Sequence, residues 1–230
     1  MEARLFSIMA FPVLMIAFHP ATLSAQDKAS EPFTTGADFC SSYIWRGSQL
    51  GTGPHIQPSI VYNKSSFTCG AWGSFDFRGY QETDLYLSFS LPSGFSAGIT
   101  DYYLPGLRYF DYSKGSGSHA FELNFGFSAD KLNFSANYIL NEAGGVGSSG
   151  NDLYFEAGYS FKRFSIFAGA GNGWHTYDPE TGSSNFNLCN TGIEVSGMIR
   201  VTESFEIPVR GQLVLNPDKE RLFLVISFTL

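Results

Sequence analysis

Most of this chain alternates between apolar and polar side chains, one residue at a time, from about residue 36 to its last residue. In the segment 84–91, leucines and a phenylalanine alternate with Asp84, Tyr86 and two serines, and the segment 121–128 repeats the pattern. Successive side chains of a β-strand point to opposite faces, so a period of two indicates strands with one apolar and one polar face. Soluble sandwiches and barrels also show this alternation. Other features of the chain must decide which medium covers the apolar face.

The N-terminus has the features of a secretory signal peptide. Arg4 supplies the positive charge, residues 5–18 are apolar, and Leu23-Ser24-Ala25 resembles a cleavage site. An apolar stretch of about 14 residues is too short for a membrane-spanning helix, which needs roughly 20. The sequence therefore predicts a signal peptide at 1–25, a short periplasmic segment at 26–35 and an outer-membrane barrel at 36–230.

Composition favours a membrane barrel over a soluble one. Only 15% of the residues are charged, whereas soluble domains have about 25%. The 23 phenylalanines and 12 tyrosines suit a barrel with aromatic girdles at both membrane interfaces. A net charge of −7 argues against nucleic acid as a partner. The three cysteines lack metal-ligand spacing and are interpreted as small apolar residues.

Turn signals between the alternating runs predict twelve antiparallel strands, and ten strands remain an alternative. The connections alternate between short turns, predicted to be periplasmic, and longer extracellular loops. Pro58 and Pro208 fall inside predicted strands, where bulges are expected because proline lacks a ladder donor. The apolar stripe continues to Leu230, so the last strand is expected to close against the first. The predicted strands are Ala37–Arg46, His55–Tyr62, Phe67–Phe77, Asp84–Leu91, Phe95–Tyr103, Ala120–Ser128, Leu132–Leu140, Asp152–Phe161, Phe164–Ala170, Leu188–Ile199, Phe205–Leu215 and Arg221–Leu230.

If the apolar side chains face lipid, the polar ones face the lumen, where carboxylates outnumber arginines. This predicts a weakly cation-preferring pore. The alternative is that the acids pair with the arginines and fill the barrel. Eight-stranded barrels are filled by side chains and barrels of sixteen or more strands hold aqueous channels, so twelve strands suit a small-solute pore or a plugged lumen. The predicted pore-lining residues are Arg46, Asp76, Asp84, Glu122, Glu156, Glu194 and Arg210.

The segment 43–77 resembles the first hairpins of the TorF-like outer-membrane porins. The matching pieces are Trp45-Arg46-Gly47, a strand with Gln57-Pro58, and Gly70-Ala71-Trp72-Gly73-Ser74. The proline and glutamine are rearranged relative to the family pattern, and the likeness covers about the first half of the barrel. The resemblance implies a barrel in the outer membrane of a Gram-negative bacterium, but it says little about the substrate.

These features together predict a barrel that passes small hydrophilic solutes without a cofactor. Its expected partners are outer-membrane lipid, the barrel-assembly machinery and the solutes themselves. One alternative is a non-conducting structural or adhesion barrel that acts through its loops. A lipid-modifying enzyme is a minor alternative, and we predict no enzymatic activity.

Three features of the long loops bear on these alternatives. For the enzyme, His119 is the only candidate residue at a suitable position. No nucleophile is identified for it, because the adjacent Ser118 cannot face it on a strand. The ordinary interpretation of His119 is an interfacial histidine. The aromatic loop from Tyr102 to Ser118 either folds into the mouth, presents a carbohydrate-binding surface or simply packs against itself. Asp178 to Gly182 is interpreted as a solvated turn, and no metal site is predicted.

Overall fold

The computed structural model describes residues 32–230, which form a closed antiparallel β-barrel. The predicted signal peptide at 1–25 and most of the segment 26–35 lie outside the described residues. The barrel wall has twelve strands, and two short hairpins form separate two-stranded sheets that are not part of the wall. In chain order the strands are β1 (Phe33–Cys40), β2 (Tyr43–Trp45), β3 (Ser48–Leu50), β4 (His55–Lys64), β5 (Phe67–Asp76), β6 (Gln81–Ser90), β7 (Phe95–Tyr103), β8 (His119–Ala129), β9 (Leu132–Ile139), β10 (Glu142–Ala143), β11 (Ser148–Ser149), β12 (Leu153–Ser160), β13 (Ser165–Gly171), β14 (Asn187–Arg200), β15 (Glu206–Asn216) and β16 (Arg221–Thr229).

The first and last strands close the wall. Asp38 pairs with Thr229 and Phe39 with Phe228, and the backbone N–H of Ala37 donates to the carbonyl of Leu230 at 2.9 Å. β1 pairs with β4 along its other edge, so each wall strand has two neighbours and none exposes an unpaired edge. The prediction of twelve strands is confirmed, and the alternative of ten is wrong.

The connections differ between the two ends of the barrel. Short turns at 65–66, 91–94, 130–131, 161–164 and 201–205 lie at one end, here called the turn end, together with the start of β1 and the end of β16. The opposite end, the loop end, carries the long connections 41–54, 104–118, 140–152 and 172–186, and two short ones at 77–80 and 217–220. The loop 172–186 contains one 3₁₀ turn, Gly173–His175. Within residues 32–230, no helix is long and apolar enough to cross a bilayer.

The apolar side chains face outward. In β16, Leu224 is 70% exposed and Ile226 54%, whereas the intervening Val225 is 5% exposed. The same parity continues around the wall, where Phe125, Phe134 and Phe155 are also exposed. A groove of about 470 Å³ on this outer surface is lined mostly by phenylalanine and alanine. The polar face therefore encloses the lumen.

The first strand ends earlier than the sequence predicts. β1 stops at Cys40, and Tyr43–Trp45 pairs instead with Ser48–Leu50 as a separate hairpin. Arg46 and Gly47 form its two-residue turn with φ of 50° and 82°. A two-residue turn with both central φ values positive matches the right-handed twist of the strands it joins. The prediction of a strand through Arg46 is therefore wrong, because the chain reverses there.

Neither proline introduces a bulge. Pro58 stays in register with Ala37, and Pro208 with Met198. On its other side, Pro58 lies in a gap of the ladder with β5, and the pairing of β15 with β16 begins one residue after Pro208. Each proline, which lacks an N–H group, therefore lies where the strand is unpaired on one side. A register shift occurs instead between Gly169 and Ala170, where β13 pairs with β14.

Candidate functional site in the barrel lumen

The hairpin 43–50 crosses the lumen at the loop end of the barrel. It follows β1, yet its tip contacts β8 and β12, which lie on the opposite side of the closed wall. The Gly47 carbonyl accepts a hydrogen bond of 2.9 Å from Asn216 of β15. Contacts on several sides of the lumen hold the hairpin in place as a plug. We refer to residues 43–50 as the plug.

One buried ion pair fastens the plug to the wall. The Arg46 guanidinium donates two hydrogen bonds, of 2.6 and 2.8 Å, to the Glu122 carboxylate, and both side chains are about 1% exposed. Glu122 also accepts hydrogen bonds from Tyr102 at 2.9 Å and Asn124 at 2.7 Å. Bidentate charge-assisted pairs of this kind are among the strongest hydrogen bonds in proteins. We call the Arg46–Glu122 pair the latch.

Aromatic rings enclose the Arg46 guanidinium. Its Cζ lies 4.7 Å from the ring centroid of Trp45 and 4.6 Å from that of Tyr154. Cation–π contacts at such distances stabilise a charge that has lost its water. The guanidinium also lies 3.3 Å from Nε2 of His175. Arginine only donates, so this nitrogen accepts and His175 is neutral.

A second loop packs over the plug. The backbone N–H of Trp174 donates to the Asp152 carboxylate at 3.1 Å, and its indole donates to the Gly147 carbonyl at 2.7 Å. The neighbouring His175 is 1% exposed, and burial together with the Arg46 charge holds its pKa well below the usual value. The ring of Trp45 lies 6.0 Å from that of Trp174 and 5.0 Å from that of His175. Two inward-folded segments therefore occupy the loop end of the lumen.

Among the seven predicted pore-lining residues, the structure brings Arg46 into contact with Glu122 at the plug, and Arg210 to within 3.9 Å of Glu194 nearer the turn end. Asp84 is 2% exposed and its Oδ1 has no hydrogen-bond partner in the described part of the chain. Glu156 accepts hydrogen bonds from Tyr154 and Asn190 at 2.7 and 2.9 Å. These buried groups fill the loop half of the lumen.

The other three predicted residues lie near the two ends. Asp76 accepts backbone hydrogen bonds from Thr52 and Tyr80 at 3.0 and 2.8 Å, so it holds loops at the rim. Arg210 lies 3.9 Å from both Asp38 and Glu194. The side chains of Arg210 and Glu194 are 18% and 21% exposed, so water reaches this part of the lumen. The interior thus changes from dry at the plug to wetter toward the turn end.

Sequence reasoning missed the part played by Gly173-Trp174-His175. The tripeptide lies in a long loop with no strand periodicity, and nothing local indicates that it turns inward. The sequence shows only that a tryptophan and a histidine follow a glycine in this loop; in the structure that glycine, Gly173, has φ of 59°. The hydrogen bonds from Tyr102 to Glu122 and from Tyr154 to Glu156 were not predicted either.

His119 and Asp178, the two candidates in the long loops, are both engaged in local contacts. Both ring nitrogens of His119 are engaged, Nδ1 by Asp101 at 2.9 Å and Nε2 by the Tyr109 carbonyl. The Ser118 hydroxyl donates to the Arg108 carbonyl at 2.6 Å. Asp178 accepts hydrogen bonds from the Glu180 N–H and the Thr181 hydroxyl, which lower its pKa. Within residues 32–230, no cluster of His, Cys, Asp and Glu is placed to bind a metal.

The fold and the lumen together define a class: a closed twelve-stranded barrel with an apolar outside and a plugged, charged interior. No family model matches the chain, and no curated protein matches it. It is similar in structure to a mutant of Rh. blastica porin, with 10% identity, 76% of this chain and 55% of that one covered, and a TM-score of 0.39. It is also similar to BamA from Haemophilus ducreyi, with 15% identity, 80% of this chain and 41% of that one covered, and a TM-score of 0.40. A third similar structure is OccK5 from Pseudomonas aeruginosa, with 12% identity, 86% of this chain and 66% of that one covered, and a TM-score of 0.36.

The chain spans about half the length of the Rh. blastica porin that it matches. TM-scores below 0.5 at such identities carry no conclusion about function or family. The resemblance to TorF-like porins therefore stays a prediction from the sequence.

Proposed function

We propose that this chain is an outer-membrane, porin-like barrel of a Gram-negative bacterium, and that it passes small hydrophilic solutes when its plug is displaced. The observation that carries the proposal is the inside-out distribution of polarity: leucines and phenylalanines cover the outer wall, whereas Glu122, Glu156 and Arg210 point inward. Soluble monomers rarely expose apolar patches larger than a few hundred Å². If hydrocarbon surrounds the wall, these apolar side chains are not exposed to water.

The same geometry implies that the resting lumen is closed. Arg46, Glu122 and the rings of Tyr102, Tyr154 and His175 are almost completely buried, so we expect little passage of water at the loop end while Arg46 stays paired with Glu122. Conduction in this proposal requires the plug to leave the wall. The exposed passage would then be lined by the predicted residues Asp84, Glu122, Glu156, Glu194 and Arg210, with Asp76 at its rim and Arg46 on the released plug. Their excess of acids favours cations weakly.

Several parts of the proposal come from the sequence. The predicted signal peptide and the resemblance to TorF-like porins support export to the outer membrane, with the barrel-assembly machinery and outer-membrane lipid as partners. We propose a transport role and no enzymatic one.

The buried latch also favours a second candidate, a non-conducting structural barrel that acts through its loops. Arg46 is 2% exposed and Glu122 0%, as expected of a permanent core as much as of a gate. Whether the plug ever leaves the wall distinguishes the two functions.

Replacing the plug tests the proposal directly. The purified barrel and a variant with residues 43–50 replaced by a glycine-serine segment of equal length are reconstituted in planar bilayers and in liposomes. We expect rare openings from the wild type, and steady conductance, sugar-driven swelling and a cation-selective reversal potential from the variant. Replacing the exposed residues 179–182 in the same way is the matched control and leaves conductance unchanged.

Circular dichroism and heat-modifiable gel mobility establish that each variant is folded and inserted. If the folded, inserted plug variant passes neither ions nor sugars at any salt concentration, the pore is refuted and the structural barrel is supported.

A further inference from the structure

The aromatic loop between β7 and β8 folds outward over the rim of the barrel. This loop, residues 104–118, is called the flap. Its Tyr112 ring is stacked on His119 with centroids 4.7 Å apart, and is nearly parallel to Phe121 at 6.5 Å. Phe121 belongs to the outward parity of β8, as do Leu123 and Phe125. The ring of Tyr112 therefore packs against the outer wall and does not enter the mouth.

A buried histidine that is hydrogen-bonded to a carboxylate on the outer wall fixes the flap. Asp101 lies at an outward position of β7, between Leu85 and Phe121, and its carboxylate is 2.9 Å from Nδ1 of His119. The other ring nitrogen faces the Tyr109 carbonyl of the flap. The His119 side chain is 0% exposed because the rings of Tyr103, Tyr109 and Tyr112 cover it. The flap thus shields a polar pair that would otherwise face the surroundings of the wall.

Further hydrogen bonds give the flap a defined shape. Tyr103 donates from its hydroxyl to the Leu107 carbonyl at 2.9 Å, and the Ser118 backbone N–H donates to the Asp111 carbonyl at 2.9 Å. The Asp111 carboxylate accepts from the Ser113 N–H at 3.0 Å and from the Ser116 hydroxyl at 2.8 Å. The rings are therefore presented on an ordered support.

Several aromatic and basic side chains of the flap are exposed. Phe110 is 84% exposed, Tyr112 60% and Tyr109 41%, and the flap also carries exposed Arg108 and Lys114. Aromatic rings beside basic side chains are the composition found at the boundary between hydrocarbon and lipid headgroups, where the long basic side chains reach the headgroups. The apolar outer wall continues directly into this surface through Phe121 and Tyr112.

We infer that the flap is a lipid-anchoring surface, which inserts Phe110 and its neighbours into the interfacial layer of the membrane at the loop end. The inference rests on the proposed function, because it requires the wall to lie in a bilayer. Its occupant is bilayer lipid. A soluble carbohydrate or a protein on the same rings is the competing outcome.

Tryptophan quenching by brominated lipids tests this. Phe110→Trp is reconstituted in phosphatidylcholine vesicles that carry bromine either near the headgroup or deep in the acyl chain. Trp45, Trp72 and Trp174 all point into the lumen, so wild-type protein supplies the unquenched background. Leu224→Trp, at an outer position that is 70% exposed, is the positive control for the wall.

We expect the added emission of Phe110→Trp to be blue-shifted and quenched more by shallow than by deep bromines, and Leu224→Trp to show the reverse. Asp101→Asn added to Phe110→Trp is expected to release the flap and to lose most of that quenching, whereas the conductance of the barrel stays unchanged.

The outcomes separate the two hypotheses. If Leu224→Trp is quenched and Phe110→Trp is not, the flap faces water and the inference is overturned while the membrane barrel stands. If neither is quenched in protein that is folded by circular dichroism, the proposed membrane location itself fails. Quenching of Phe110→Trp that Asp101→Asn leaves intact overturns the role of the Asp101–His119 contact.

Discussion

Breaking the latch from either side is expected to open the lumen. Arg46→Ala leaves the Glu122 carboxylate in a dry site, and Glu122→Ala leaves the guanidinium between two rings without its counter-ion. Removing one partner of a buried ion pair costs about 3–5 kcal/mol, since the other charge is left uncompensated. Each tenfold change in an equilibrium constant corresponds to about 1.4 kcal/mol. The ratio of displaced to docked plug should therefore rise by about a hundredfold to a few thousandfold in either single variant.

The double variant distinguishes a latch from two unrelated defects. Arg46→Ala combined with Glu122→Ala leaves no unpaired charge, so its open probability in planar bilayers should be far below the product of the two single effects, with a coupling energy of about 2 kcal/mol or more. Arg200→Ala is the matched control, because its ion pair with Glu206 at 3.0 Å is exposed. Additive effects, or single variants that fold and insert but open no more often than wild type, would refute the latch.

Three further predictions concern the plug and its surroundings. Gly47→Ala should raise the open probability, because Gly47 has φ of 82° and its Cβ would overlap the Cys189 carbonyl, whereas Gly53→Ala, with nothing within 4 Å, should not; single-channel recording compares them. Burial, together with the Arg46 charge, lowers the pKa of His175, so His175 binds a proton more readily when the plug is displaced than when it is docked. Openings should therefore increase as pH falls below about 6.5, the ordinary pKa of histidine, stay constant above it, and lose this dependence in His175→Asn. Tyr154→Phe removes a hydroxyl with two buried partners and should lower the free energy of unfolding by about 1–3 kcal/mol, as measured by urea titration in detergent.

The barrel wall could be predicted from local pattern because the alternation within each strand indicates both the strand and its outward face. The run Leu222, Leu224, Ile226 and Phe228 specifies both the strand and the side that faces outward, and the same reasoning applied around the chain leads to twelve strands and closure. The predicted end of the first strand was wrong because Trp45 and Arg46 continue the alternation by chance. Arg46 then adopts a left-handed conformation that is uncommon for residues other than glycine.

The plug and the flap required the tertiary structure. Arg46 and Glu122 are 76 positions apart, and Arg46 and His175 129 positions apart, so no local spacing links them. Alternation assigns a side chain to a face, but it does not say which residues of that face meet across a closed lumen. The pairing depends on barrel closure and on two loops that turn inward, whereas the flap turns outward because Asp101 and His119 meet across two neighbouring strands. Residue type and period thus specify the wall, and long-range geometry decides what fills it and what covers its rim.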